Sequence, residues 1–179
     1  MAYQKHMLAG TGIGLRQPHV EHFIHGTPPI GWLEVHSENY LQENSKRRHQ
    51  LRHIRNDYAV SCHGIGLSLG SSDPLNLNHL KSLKSLFDYI QPSLISEHLS
   101  WSSLNGRFYN DLLPLPYTDE SLHHMVSQVN QTQESLGREI LIENPSSYLA
   151  FKHADMSEPE LLNQLSQRSG CKLLLDLNN

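Results

Sequence analysis

Long apolar runs are missing from this 179-residue sequence. No stretch approaches the ~20 residues that a membrane-spanning helix needs, and Met1–Gly10 lacks the apolar segment of a secretory signal. Cysteine is scarce. Cys62 and Cys171 are the whole supply, too few for a disulfide framework, so the chain is expected in a reducing cytoplasm with no membrane partner. A basic excess is lacking too: 14 Lys and Arg stand against 18 Asp and Glu, for a formal net charge of −4. Without a cationic stripe to neutralise phosphates, nucleic acid is not an expected partner. Histidine, by contrast, is plentiful at 13 residues. Because neutral imidazole is the commonest metal ligand, metal chemistry becomes the first function to test.

Short aliphatic runs alternate with longer helical patterns from end to end. Strands are expected at Gly12–Arg16, Trp32–Ser37, Ala59–Gly64, Leu94–Leu99, Glu139–Asn144 and Lys172–Asn178, each short and bounded by turn or polar residues. Between them, Leu77, Leu80, Leu83, Leu86, Phe87 and Ile90 recur at helical spacing, with Asp73–Pro74 as the start signal. Leu122, Met125, Val126, Val129 and Leu136 follow Thr118 in the same way, and Thr118 is the expected cap. Leu161, Leu162 and Leu165 mark a helix ending before Gly170, while Ser45–Asp57 is polar with only Leu51 and Ile54 as anchors. This alternation implies right-handed crossovers and a parallel sheet in one α/β domain spanning residues 1–179.

What sits at the strand ends favours a (β/α)8 barrel over a doubly wound sheet. Four successive strands finish with His63, His98, Glu143 and Asp176, spaced by 35, 45 and 33 residues, each about one βα unit. Barrel enzymes draw their functional groups from the C-terminal ends of several strands, so these four converge on one mouth. Two imidazoles and two carboxylates suit iron, manganese or zinc. Cys62 adjoins His63 and so faces the other side of its strand. Glu34, His36 and Glu38 share one strand face, expected to line the interior or mouth, with a structural ion pair or hydrogen-bond network the other reading of Glu34; Glu38 and Asn39 stand where substrate contact is expected. Other signals are weaker. The glycines at 10, 12 and 14 lack the spacing of a dinucleotide fingerprint. His19, His22 and His25 would spread around a helix in solvent. His123, His124 and His153 read as surface residues, and Asn110–Asp111 as loop residues that either cap a turn or touch substrate.

Six segments carry a resemblance: WLEVHSENYL (Trp32–Leu41), SCHGIGLSLGSSDPL (Ser61–Leu75), SEHLSW (Ser96–Trp101), NDLLPLPYT (Asn110–Thr118), IENPSSY (Ile142–Tyr148) and LLLDLNN (Leu173–Asn179). Together they resemble the multinuclear non-haem iron-dependent oxidases, the family that includes the methanobactin-forming enzyme, and most closely its bufferin-maturation branch. The resemblance implies a TIM barrel holding two or three iron ions. His63 and His98 would bind one iron, Glu143 would bridge it to a second, and Asp176 would hold that second ion. Glu143 and Asp176 would thus be the catalytic carboxylates. Asn178 would lie close enough to the cluster to be a further ligand, and Glu38, Asn39, Asp73 and Asn144 would contact substrate or support the ligands. The implied reaction is O₂-dependent oxidation of a cysteine in a ribosomally made precursor peptide, which a small partner protein would recognise.

Family members continue for roughly a hundred residues more, whereas this sequence stops at Asn179, about 70 residues short of the ~250 of a complete barrel. The expectation is therefore a barrel of about six βα units lacking its C-terminal strands: a fragment or a truncated product, with an incomplete metal cluster. Two rivals stand beside the oxidase reading. One is a xylose-isomerase-like or endonuclease-like divalent-metal barrel, and the other is a truncated remnant that binds metal without turnover.

Overall fold

A computed structural model describes residues 8–146 and 148–179. All six expected strands form, generally ending earlier than the apolar pattern does: β1 Gly12–Gly14, β2 Trp32–His36, β3 Ala59–His63, β4 Leu94–His98, β7 Leu141–Glu143 and β8 Lys172–Leu174. They make one sheet in the order β1-β2-β3-β4-β7-β8, in which β1–β2, β2–β3, β4–β7 and β7–β8 pair parallel. A separate antiparallel hairpin, β5 Trp101–Leu104 with β6 Arg107–Leu113, completes the strands.

The chain divides into two compact units. The first runs to Gly64 and takes in Lys81–Ile95; the second comprises Ile65–Leu80 and Ser96–Asn179. The first unit holds β1, β2 and β3 together with α1 (Val20–His25) and α2 (Lys46–Ile54), which pack against each other. Leu33, Val35, Val60 and Cys62 are almost wholly buried. Gly12 is where the Trp32 indole lies against β1, and a Cβ there would overlap the ring. Packing against Trp32 thus accounts for Gly12.

Helix α2 is held by more than the two anchors expected of it. Leu51 and Ile54 are buried, but so are Arg48 and Arg55. The Arg48 guanidinium donates to the Ser85 carbonyl at 2.7 Å and to its hydroxyl at 3.0 Å, and lies 5.1 Å from the Tyr89 ring centre. Arg55 donates to the carbonyls of Tyr58 and Gln91. Planar guanidinium forks satisfied by backbone oxygens are the arrangement in which a buried arginine is tolerated.

Helix α3 (Leu77–Ile90) buries Leu80, Leu83, Leu86, Phe87 and Ile90 of the expected face, whereas Leu77, its first residue, is 70% exposed. Its start lies beyond Asp73–Pro74. The side-chain oxygen of Asn76 accepts from the N–H groups of Asn78 and His79, each at 3.1 Å, and Asn76 is therefore the cap. In the second unit, α4 (Asp119–Leu136) begins at the expected cap, with Thr118 accepting from the Ser121 N–H. Helix α5 (Glu158–Ser169) opens with a capping box between Ser157 and Glu160 and ends at Gly170. Helices α4 and α5 pack together, and Leu122, Met125, Val129, Leu161 and Leu165 on them are each 0% exposed. Burying such a side chain is worth about 1.5–3 kcal/mol. Among the described residues, no helix is long and apolar enough to cross a membrane.

Candidate metal centre

In a parallel pair, residues in register point to the same side of the sheet, so the strand register decides which side chains can meet. β4 and β7 pair with His98 opposite Glu143. Both lie at their strands' last residue, and their side chains are only 13% and 10% exposed. The His98 Nε2 stands 3.4 Å from the Glu143 Oε2. In the first unit, β2 and β3 pair with His36 opposite His63, and the two rings meet edge to face with centroids 6.0 Å apart. His63 is buried at the end of a strand whose five residues are all buried. His63, His98 and Glu143 can each turn one ligand atom to within 4.8 Å of the other two. Two imidazole nitrogens and a carboxylate oxygen at that separation fit a divalent transition metal.

The remaining sequence candidates fall elsewhere. Asp176 lies outside this three-residue group. β8 ends at Leu174 rather than running on to Asn178, so Asp176 follows in a turn. One of its carboxylate oxygens accepts from the Asn178 backbone N–H at 2.7 Å and side-chain amide at 3.0 Å. Its backbone is tied to buried Asn144: the Asp176 N–H donates to the Asn144 side chain at 2.7 Å, and the Asn144 amide donates to the Asp176 carbonyl at 3.1 Å. Asn144 thus couples the residue after Glu143 to the segment bearing Asp176. Asp73 accepts the N–H groups of Asn105 and Gly106 at 3.0 and 3.1 Å, fixing the tip of the β5–β6 hairpin.

Three sequence readings need correction. Glu38 is not on the β2 face with Glu34 and His36, because β2 stops at His36 and residues Ser37–Tyr40 form a 3-10 turn. Asn110 and Asp111 lie in strand β6, and Asp111 accepts a hydrogen bond from the Tyr148 hydroxyl at 3.1 Å. His124 is half-buried, with its Nε2 2.6 Å from the Ser71 carbonyl. His19, His22, His25, His123 and His153 are exposed as expected. The hairpin itself escaped the pattern reading, yet its signal was present. Asn105–Gly106 is the dipeptide that two-residue hairpin turns favour, and both residues take positive φ, 52° and 71°.

The burial of polar groups differs across the site. Glu34 is half-buried, and burial pushes its carboxyl above the usual range, with His36 and Arg16 pulling the other way. Burial likewise raises the Cys171 thiol, and both cysteines are buried, neither in a disulfide with the other.

Comparison with known proteins settles the family. The model for the RiPP precursor modification enzymes MbnB/TglH/ChrH matches residues 10–179. The chain belongs to this family. UPF0276 proteins from Psychromonas ingrahamii and Vibrio vulnificus are 53% and 54% identical over 98% and 94% of the chain. The chain covers 62% and 58% of those relatives, about three fifths of their length. Among solved structures it is similar to a D-psicose 3-epimerase, with TM-score 0.58 and 16% identity over 93% of this chain and 63% of that one. SacUVDE is also similar, with TM-score 0.54 and 18% identity over 90% and 54%. At such identities the likeness carries the fold alone, the TIM-barrel-type α/β architecture expected from the strand–helix alternation and the residues at the strand ends.

Proposed function

We propose that this chain supplies the His63–His98–Glu143 part of an iron site that oxidises a cysteine in a ribosomally made precursor peptide, with O₂ as co-substrate. The observation that carries the reading is the convergence of two imidazoles and one carboxylate within 4.8 Å of one another, in a family of precursor-peptide-modifying enzymes. His63 and His98 would hold one iron and Glu143 would bridge to another, with Asp176 and Asn178 candidates for the second ion. Bound iron would supply the redox chemistry with O₂. The chain's own residues orient and shield. Burial of Glu143 and His63 excludes water from the ligands, and the β4–β7 register fixes the Glu143 carboxylate against His98. Asn144 ties the backbone after Glu143 to Asp176. Glu38 and Asn39 remain candidates for substrate contact and Asp73 for support of the neighbouring hairpin. A small recognition protein is the proposed second partner.

The test is to incubate the iron-loaded protein with a cysteine-containing precursor peptide, with and without O₂, and to follow the peptide by mass spectrometry. A mass change confined to the cysteine, requiring both iron and O₂, is expected. Turnover of a sugar or a phosphodiester without O₂ would replace the oxidase reading with that of a divalent-metal isomerase or nuclease.

A further inference from the structure

The first unit holds a polar recess of about 250 Å³ that the metal ligands do not use. Its wall is built from the C-terminal ends of two neighbouring strands. Arg16 follows β1, Glu34 and His36 come from β2, Asn39 and Tyr40 from the turn after β2, and Arg47 from the first turn of α2. Arg16 and Arg47 are exposed at its rim. Their fields act on Glu34 and Tyr40 respectively. Beyond this, no hydrogen bond or ion pair engages either guanidinium among the described residues. Two permanent cations facing one recess without a bonded counter-ion make a site for an anion.

The charge balance sets which anion. Two guanidiniums and the Glu34 carboxylate leave the recess one positive charge. That matches a monoanion such as a carboxylate; a phosphate dianion would leave net negative charge beside Glu34. The planar guanidinium fork also matches a carboxylate's two oxygens, and the Asn39 amide offers further donors.

Location ties the recess to the metal centre. His36 lines it, and the His36 ring lies 6.0 Å from that of His63. We propose that this recess is a carboxylate-binding subsite, in which Arg16 and Arg47 grip one carboxylate of the peptide substrate and present the neighbouring residue beside His63. The proposal rests on the peptide-substrate reading above. The carboxylate could be the peptide's C-terminus or an acidic side chain, since both offer the same two oxygens.

Calorimetric titration of the iron-loaded protein under argon tests it, with three probes: N-acetyl-Gly-Cys-Gly, its C-terminal amide, and N-acetyl-Asp-Cys-Gly amide. At least one carboxylate-bearing probe should bind about tenfold tighter than the amide that lacks one, as expected for a charge-assisted pair; which one does identifies the source. In the Arg16→Gln/Arg47→Gln double variant the three should fall within about twofold. Both side chains are exposed, so folding is not at stake. Equal binding of all three probes to the unaltered protein, or an undiminished preference in the double variant, would overturn the subsite. So would inorganic phosphate competing better than acetate. Serine-for-cysteine versions of the probes separate this failure from that of the metal reading. If the metal reading is wrong, serine and cysteine probes bind alike while the carboxylate preference persists. If the subsite is wrong, the preference vanishes and the cysteine advantage stays.

Discussion

The ends of β7 and β8 each carry a carboxylate, and they hold it by different means. Glu143 is the last residue of β7, buried, and set against His98 by the strand register. Asp176 lies two residues past the end of β8, half-exposed, with an oxygen occupied by Asn178. The apolar residues around them differ in the same sense. Ile142 is fully buried, whereas Leu175 and Leu177 are 67% and 87% exposed. A sheet position dictates where a side chain points; a turn held by local hydrogen bonds leaves that direction to the turn. The first carboxylate is therefore preorganised for a ligand, and the second is placed by its neighbours.

The sharpest way to break this contrast is to remove the preorganised ligand. Glu143→Ala or His98→Ala should weaken iron binding at least about a hundredfold, beyond the 10–100-fold typical of losing a supporting hydrogen bond. Asp176→Ala should weaken binding of the first iron much less. Equilibrium dialysis against ferrous ion under argon reads both. Next in size is a stability difference between the two strand ends. Ile142→Ala should cost about 2–5 kcal/mol through lost burial and a cavity, and Leu175→Ala no more than about 0.5 kcal/mol, as measured by urea unfolding. Smaller again is the link between the ends. Asn144→Ala removes both hydrogen bonds to the Asp176 backbone and should cost about 1–3 kcal/mol, with faster amide exchange at Asp176.

The smallest effect extends the comparison to a carboxyl in the first unit. Burial raises the Glu34 pKa in the folded chain. Between the ordinary carboxylate range and that raised value, the folded state binds more protons than the unfolded one. Stability therefore falls as pH rises through this window. Glu34→Gln should flatten that fall, so its gain in melting temperature is larger at pH 8 than at pH 4; an equal gain at both would remove Glu34 as the cause.

The legible part of the molecule was the part governed by periodicity. All six sheet strands follow from short aliphatic runs, and α3, α4 and α5 from leucines at helical spacing, because burial of one face is a property of the local pattern. His63, His98 and Glu143 could be read because a strand's end fixes what emerges there. Asp176 was harder: the LLLDL run looks like continuing strand, and only tertiary structure shows the chain turning after Leu174. Similar reasoning covers Glu38, where a 3-10 turn replaced an expected extended residue. Arg48 and Arg55 were missed as core residues because their burial depends on carbonyls of residues some 36 positions away. The β5–β6 hairpin differs again: Asn105–Gly106 is a hairpin-turn dipeptide, but the strands flanking it are too polar to show a buried-strand pattern.

The central claim is that His63, His98 and Glu143 share one iron. X-ray absorption spectroscopy of the protein loaded with a single equivalent of ferrous ion tests it most directly. The expected spectrum shows two imidazole ligands, falling to one in His63→Ala and in His98→Ala. An imidazole count unchanged by either substitution would contradict the claim.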